Sequence, residues 1–224
     1  MEREFGTGPL SQLTGSVYRH AILGVCLVLA CLPTLALTTL LSGSTGNVPW
    51  VVLAQLPTAP ALSAGLYAVR GWRRGDDIGT WTLFWHGYRL NALDVLRWWA
   101  PAVAALAVLA TNAANPDAVA IGSALRVVSL VVGALVLLWA GHALVVSSFF
   151  SFRTRDVARI AVVMAVSQWR VTLVYLSMLV VAAGVAYIGT EVALLLLAWA
   201  LVSMLEHVSR PVREEVTRRF TVDD

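Results

Sequence analysis

An all-α integral membrane bundle of about six transmembrane helices, with a cytoplasmic interfacial helix between spans 2 and 3, is the fold class this sequence predicts. Three observations predict it. Of the 224 residues, 58% are hydrophobic and 13% charged, whereas a soluble domain carries about 25% charged residues. Apolar runs recur along the whole chain, and about 20 such residues cross a bilayer, so six runs leave no room for a separate soluble domain. The basic residues, all arginine, fall between those runs in an alternating pattern.

In chain order, residues 1–16 read as a cytoplasmic tail, 17–208 as one transmembrane domain and 209–224 as a second cytoplasmic tail. Span 1 is 17–41. Its VLAC (28–31) faintly resembles a lipoprotein signal, but a signal peptide's apolar region is about 7–15 residues. This run continues past Cys31, so it reads as an uncleaved span, with Cys26 and Cys31 as free buried thiols. The link SGSTGN (42–47) leads to span 2, 48–69. A polar-aromatic section follows, then span 3 at 97–112 and the turn-rich TNAANPD (111–117). Span 4, 118–152, exceeds one crossing; spans 5 and 6 are 171–188 and 191–205.

Orientation follows from arginine placement, because cytoplasmic flanks carry excess Lys and Arg. Fifteen of the sixteen arginines lie before or at the start of span 1 (Arg3, Arg19), in 70–97, in 153–170 or in the tail after span 6. The opposite connections hold none. Both termini are therefore expected on the cytoplasmic side of a bacterial cytoplasmic membrane. Arg126, near the outer end of span 4, reads as a side chain snorkelling to headgroup depth, or as a buried cation facing a cavity. A nucleic-acid binder would gather its charge in one soluble patch, and this chain does not.

The stretch RGWRRGDDIGTWTLFW (70–85) concentrates charge and tryptophan. Trp81, Phe84, Trp85 and Tyr88 share one face at helical spacing, with Arg89 off that stripe. An aromatic face with a basic flank suits a helix over 79–91 lying in the membrane interface. Asp76 and Asp77 then cap that helix and offset Arg70, Arg73 and Arg74. A metal would need further ligands at fitting spacing, so none is expected. The chain carries no zinc, phosphate-loop or nucleophile-elbow motif, and no catalytic residue or cofactor is expected either.

In QLPTAPALSAGLYAVR (55–70), Pro57 and Pro60 remove backbone donors inside an apolar span. Lipid tolerates such a break only where neighbours or a cavity satisfy the freed carbonyls. Two readings stand: a packed kink that brings small residues against other helices, or a broken helix lining a substrate path past Gln55.

The order PTAPALSAGLYAVRGWRRGDD (57–77) and FWHGYRLN (84–91) resembles the YesL-like family of bacterial membrane proteins. The matching positions are Pro57, Ala61, Tyr67, Gly75, Asp76, Phe84, Tyr88, Arg89 and Asn91. The family has no established activity to carry over. Its genes commonly adjoin those of carbohydrate ABC transporters and glycoside-degrading enzymes, so the resemblance implies a link to sugar uptake.

Three functions are weighed. The first is a non-catalytic accessory or interaction subunit of a carbohydrate ABC-type uptake system, with permease or ATPase subunits, or a second copy, as partners besides the lipid bilayer. Its docking surface would be the aromatic-arginine section. The second is a small transporter or channel, acting as an oligomer, with a path past Gln55, Pro57, Pro60 and Arg126. The third is an enzyme acting on lipid-linked sugars through Asp76, Asp77, Asp94 and His86, which no motif supports. His142 is expected to hydrogen-bond across the bundle.

Overall fold

A computed structural model describes residues 9–41, 43–75, 78–118, 121–188 and 191–220. Among them all regular structure is helical: α1 (Pro9–Ala30), α2 (Leu32–Leu40), α3 (Val48–Leu53), α4 (Thr58–Arg74), α5 (Thr80–Ala114), α6 (Gly122–Phe149), α7 (Thr154–Ser167), α8 (Trp169–Ile188), α9 (Glu191–Val208) and α10 (Arg210–Phe220). Four helical stretches are long and apolar enough to cross a membrane: Thr45–Arg74, Thr80–Ala114, Gly122–Phe149 and Trp169–Ala186. A fifth is α1 with α2, bent by 50°. The bend falls at Cys31, where Pro33 opens α2 and has no amide hydrogen to continue α1's ladder. Among the described residues, α9 offers a shorter apolar stretch, Leu197–Val208. The chain is thus a bundle of several membrane-length helices.

The proline break splits the second apolar segment into α3 and α4 through a turn at 54–57, and side chains of other helices meet two of its carbonyls. Thr34 Oγ1 on α2 donates to Ala54 O at 2.7 Å. Gln55 O accepts from Trp99 Nε1 at 3.3 Å and from Thr58 Oγ1 at 2.7 Å. Pro60 itself is buried. Through those two contacts the break packs against α2 and α5. α4 then runs through the centre of the bundle, burying Ala59, Ala61, Ala64, Gly65, Ala68 and Gly71. Small side chains allow that close approach, and among lipid-embedded helices packing and hydrogen bonds, not water exclusion, hold the contact. α4 ends at Gly75, whose φ of 76° is the left-handed conformation a side chain would resist.

The interfacial helix expected over 79–91 is not a separate element. It continues without interruption through span 3 as the 35-residue α5. Nothing between Asn91 and Ala100 breaks a helix, and Pro101 lies within it. The aromatic stripe also faces inward rather than into the membrane interface. Phe84 is fully buried and Trp85 and Tyr88 pack against the core; Trp81 alone stays 49% exposed. Periodicity marks a covered face but does not say what covers it, and here the cover is protein. Gly87 makes room on that face, since a Cβ there would lie 2.7 Å from Cβ and Cγ of Tyr67 on α4.

The α4–α5 pairing fixes their relative depth. Asn91 Nδ2 donates to Ser63 Oγ at 3.3 Å, and Ser148 Oγ on α6 donates to the same oxygen at 2.8 Å. Trp98 Nε1 reaches Ser147 Oγ at 3.2 Å. The later half of the expected span 2 therefore lies beside the charged first half of α5, where Arg89, Asp94 and Arg97 are exposed. The residues that lie beside the apolar half of α5 are those of α3 and the turn, as Pro49 and Leu53 show by sharing a pocket with Ala104 and Ala107.

Two further differences concern the connections. Residues 154–167 form a helix, α7, with Val157, Ile160, Ala161 and Met164 buried and Arg155 and Arg159 turned outward. The expected C-terminal tail folds as α10, packing Val212 and Val216 onto the core. Apolar residues at 212 and 216, one helical turn apart, give it a face to bury.

Candidate functional site: an arginine-lined groove

The C-terminal ends of α4, α6 and α9 meet α10 at one end of the bundle. The residue that joins them is Glu206 on α9, one of the largest fully buried side chains in the protein. Its Oε2 lies 2.8 Å from Arg73 Nε on α4, and its Oε1 accepts from Arg213 Nη2 on α10 at 2.9 Å. A buried carboxylate without partners would be costly, so the two arginines explain how Glu206 remains there. Glu215 on α10 is bound by Arg218 at 2.6 Å and by Arg219. The Arg218 hydrogen bond, reinforced by both positive charges, holds the Glu215 carboxyl below its ordinary range.

Arg70 completes the cluster from α4, one turn before Arg74. Its guanidinium lies 5.0 Å from the centre of the Phe149 ring, and that of Arg213 lies 4.5 Å from the same centre. Ser209 links α9 to α8 by a 2.8 Å hydrogen bond with the Tyr175 hydroxyl, while its own hydroxyl donates to Leu205 O. Next to it, His142 on α6 shares a 2.9 Å hydrogen bond with Thr172 on α8 and packs against Tyr175. That agrees with the expected bond across the bundle.

The structure separates the residues that the sequence singled out. Arg70 belongs to the groove. Asn91 ties α5 to Ser63 on α4, the residue that Ser148 on α6 also binds. Tyr67 packs against Gly87 and stands 5.8 Å from His86 between ring centres. Phe84, Trp85 and Tyr88 form an aromatic cluster with Trp81 on α5. Arg89 is exposed on α5. Arg126 is exposed on α6 one turn after its start, the end remote from the groove, which fits a snorkelling side chain. Gln55 borders an apolar cavity of about 380 Å³ among α1, α2, α4, α8 and α9. Pro57 and Pro60 bracket the start of α4. Asp76 and Asp77 lie outside the described residues.

No constellation for acid–base chemistry forms from the residues that can be placed. Asp94 is exposed and bound to Arg97 at 2.6 Å, while His86 lies exposed beside Tyr67. Among the described residues no three His, Cys, Asp or Glu side chains gather where they could hold a metal. Cys26 and Cys31 are free and buried.

Comparison with known proteins leaves the site to speak for itself. No family model matches the chain, and no curated protein or solved structure does.

Glu206, Arg213 and Phe149 are the site residues that sequence reasoning missed. Glu206 carries a signal in hindsight: an acid in the last turn of an apolar helix, with arginine-rich segments at the same side of the membrane. Phe149 carries none, because its role depends on which helices bring arginines over it.

Proposed function

We propose that this is a non-catalytic membrane protein of six crossings, α9 being the sixth, with both termini in the bacterial cytoplasm. It serves as an accessory or interaction subunit of a carbohydrate ABC-type uptake system. The sugar link rests on the resemblance of 57–91 to the YesL-like family. The observation that favours an interaction role is the way several interior polar groups are spent on each other. Ser63, Ser148 and Asn91 bind together, Thr34 and Trp99 close the proline break, and His142 binds Thr172. Such bonds rigidify a bundle; a transport path needs polar groups that stay available to cargo. Charge and exposed apolar side chains are instead available outside, on the first half of α5, where Trp81, Leu90 and Leu93 face outward.

Extraction of the tagged protein in mild detergent, followed by mass spectrometry of co-purifying proteins, tests this. Stoichiometric permease or ATPase subunits are expected, and their loss in Trp81→Ala with Leu93→Ser would assign the docking edge. Recovery of the protein alone would overturn the accessory role. Trp85 is unsuited to that test, because it is packed in the core. A small-molecule transporter is the second reading, favoured by Gln55 at the 380 Å³ cavity; liposome flux abolished by Gln55→Ala would establish it.

A further inference from the structure

The groove where α4, α6, α9 and α10 meet encloses about 690 Å³. Among the described residues, six arginines line it (Arg70, Arg73, Arg74, Arg210, Arg213 and Arg218) against two glutamates, Glu206 and Glu214. Internal ion pairs among the described residues do not use up this charge. Glu206 is divided between Arg73 and Arg213, and Arg218 turns to Glu215. Arg70 has no carboxylate within ion-pair distance among the described residues, yet it converges with Arg213 on the single ring of Phe149. Like charges brought this close repel, and an aromatic ring compensates only in part. The Nε–H of Arg213 is buried, and no acceptor among the described residues reaches it. Buried donors are seldom left so. An anion with several acceptor oxygens in the groove would offset the repulsion between the two guanidiniums.

We propose that this groove binds a phosphate-bearing anion through Arg70 and Arg213, and that the phosphate is the headgroup of an anionic phospholipid. The planar guanidinium fork matches phosphate oxygens in pairs. Glu206 holds Arg73 and Arg213 in place without reaching Arg70, so the site keeps its positive excess. The lipid source follows from position. The groove opens at the ends of membrane-length helices, where basic pockets meet anionic headgroups. Immediately toward the bundle centre, Leu205 adjoins Glu206 and borders an apolar cavity of about 230 Å³ with Leu144, Tyr175, Met178 and Val202. That cavity offers an acyl chain an apolar wall that begins one residue from Glu206 on α9. The inference is independent of any partner protein.

Native mass spectrometry of the detergent-purified chain, titrated with phosphatidylglycerol, phosphatidylcholine or glycerol 3-phosphate, tests it. Wild type is expected to retain one phosphatidylglycerol in preference to phosphatidylcholine. Arg70→Gln should weaken that binding at least about tenfold, the loss of one two-pronged charged contact, and Arg126→Gln at the far end should leave it unchanged. Arg70→Gln strands no carboxylate, so the fold should survive; Arg70→Lys, keeping charge without the fork, gives an intermediate loss and guards against misfolding. Equal retention of both lipids, or equal binding by wild type and Arg70→Gln, would overturn the site. Displacement of the lipid by glycerol 3-phosphate at similar concentration would keep the phosphate site and overturn its lipid source.

Discussion

Glu206→Gln should loosen the end of the bundle by an amount the structure bounds. Removing one partner of a buried ion pair costs about 3–5 kcal/mol when the remaining charge is stranded. Here the stranded groups keep some water, with 39% of the Arg73 side chain and 22% of that of Arg213 exposed. The amide retains one hydrogen bond besides, so about half of that cost, ~2 kcal/mol, is expected. For a chain of this size that is a fall in Tm of roughly 4–8 °C. The protein supplies its own reporter, since its two cysteines, Cys26 and Cys31, are both buried and free. Heating in detergent with a thiol-reactive fluorophore follows their exposure. Limited proteolysis in parallel should show more cleavage around Ser209 in the variant, because Glu206 adds a charged tie to the packing of Val212 and Val216 that holds α10. A Tm within about 1 °C of wild type, with α10 equally protected, would refute the claim that Glu206 organises this end.

The remaining predictions concern single contacts. Gly87→Ala places a Cβ 2.7 Å from the Tyr67 side chain and should cost about 1–3 kcal/mol by overpacking; Gly184→Ala, with nothing within 4 Å, should leave Tm unchanged or raise it. Thr34→Val removes the donor to Ala54 O and should cost about 1–3 kcal/mol by leaving that carbonyl unmet, whereas Thr39→Val, exposed at the end of α2, should not. The Glu215 carboxyl is held below its ordinary value of 4.5 in the folded protein, so its contribution is present above that value and is lost as pH falls through the lower, folded value. Protease resistance of α10 should therefore decline as pH drops below about 4.5, and Glu215→Gln should flatten that dependence.

Much of this architecture can be read from the chain, and the misreadings share a cause. The apolar runs show membrane-length helices because length and hydropathy are local properties. The break at Pro57 and Pro60 is equally legible, as a proline removes its own donor wherever it stands. What repairs the break is not, for Thr34 and Trp99 come from 20 and 44 residues away along the chain from the carbonyls they meet. The stripe Trp81, Phe84, Trp85 and Tyr88 shows the right periodicity, yet a face covered by lipid headgroups and one covered by α4 require the same residue types. Arg70 is conspicuous by its charge. Glu206 shows only as an acid at the end of an apolar helix, because its burial depends on α10 folding back over it.

The unbroken α5 has a mechanical consequence. Its 35 residues measure about 52 Å at 1.5 Å each, against a hydrocarbon core of about 30 Å. The helix does not hinge where the charged surface begins, so the outward edge bearing Trp81 and the membrane half ending near Thr111 form one lever. Force applied to either arm is felt at the other as torque, with Pro101, which lacks the hydrogen bond back to Arg97, as the point of greatest give. Whatever grips the Trp81 arm gains leverage on the helices within the bilayer.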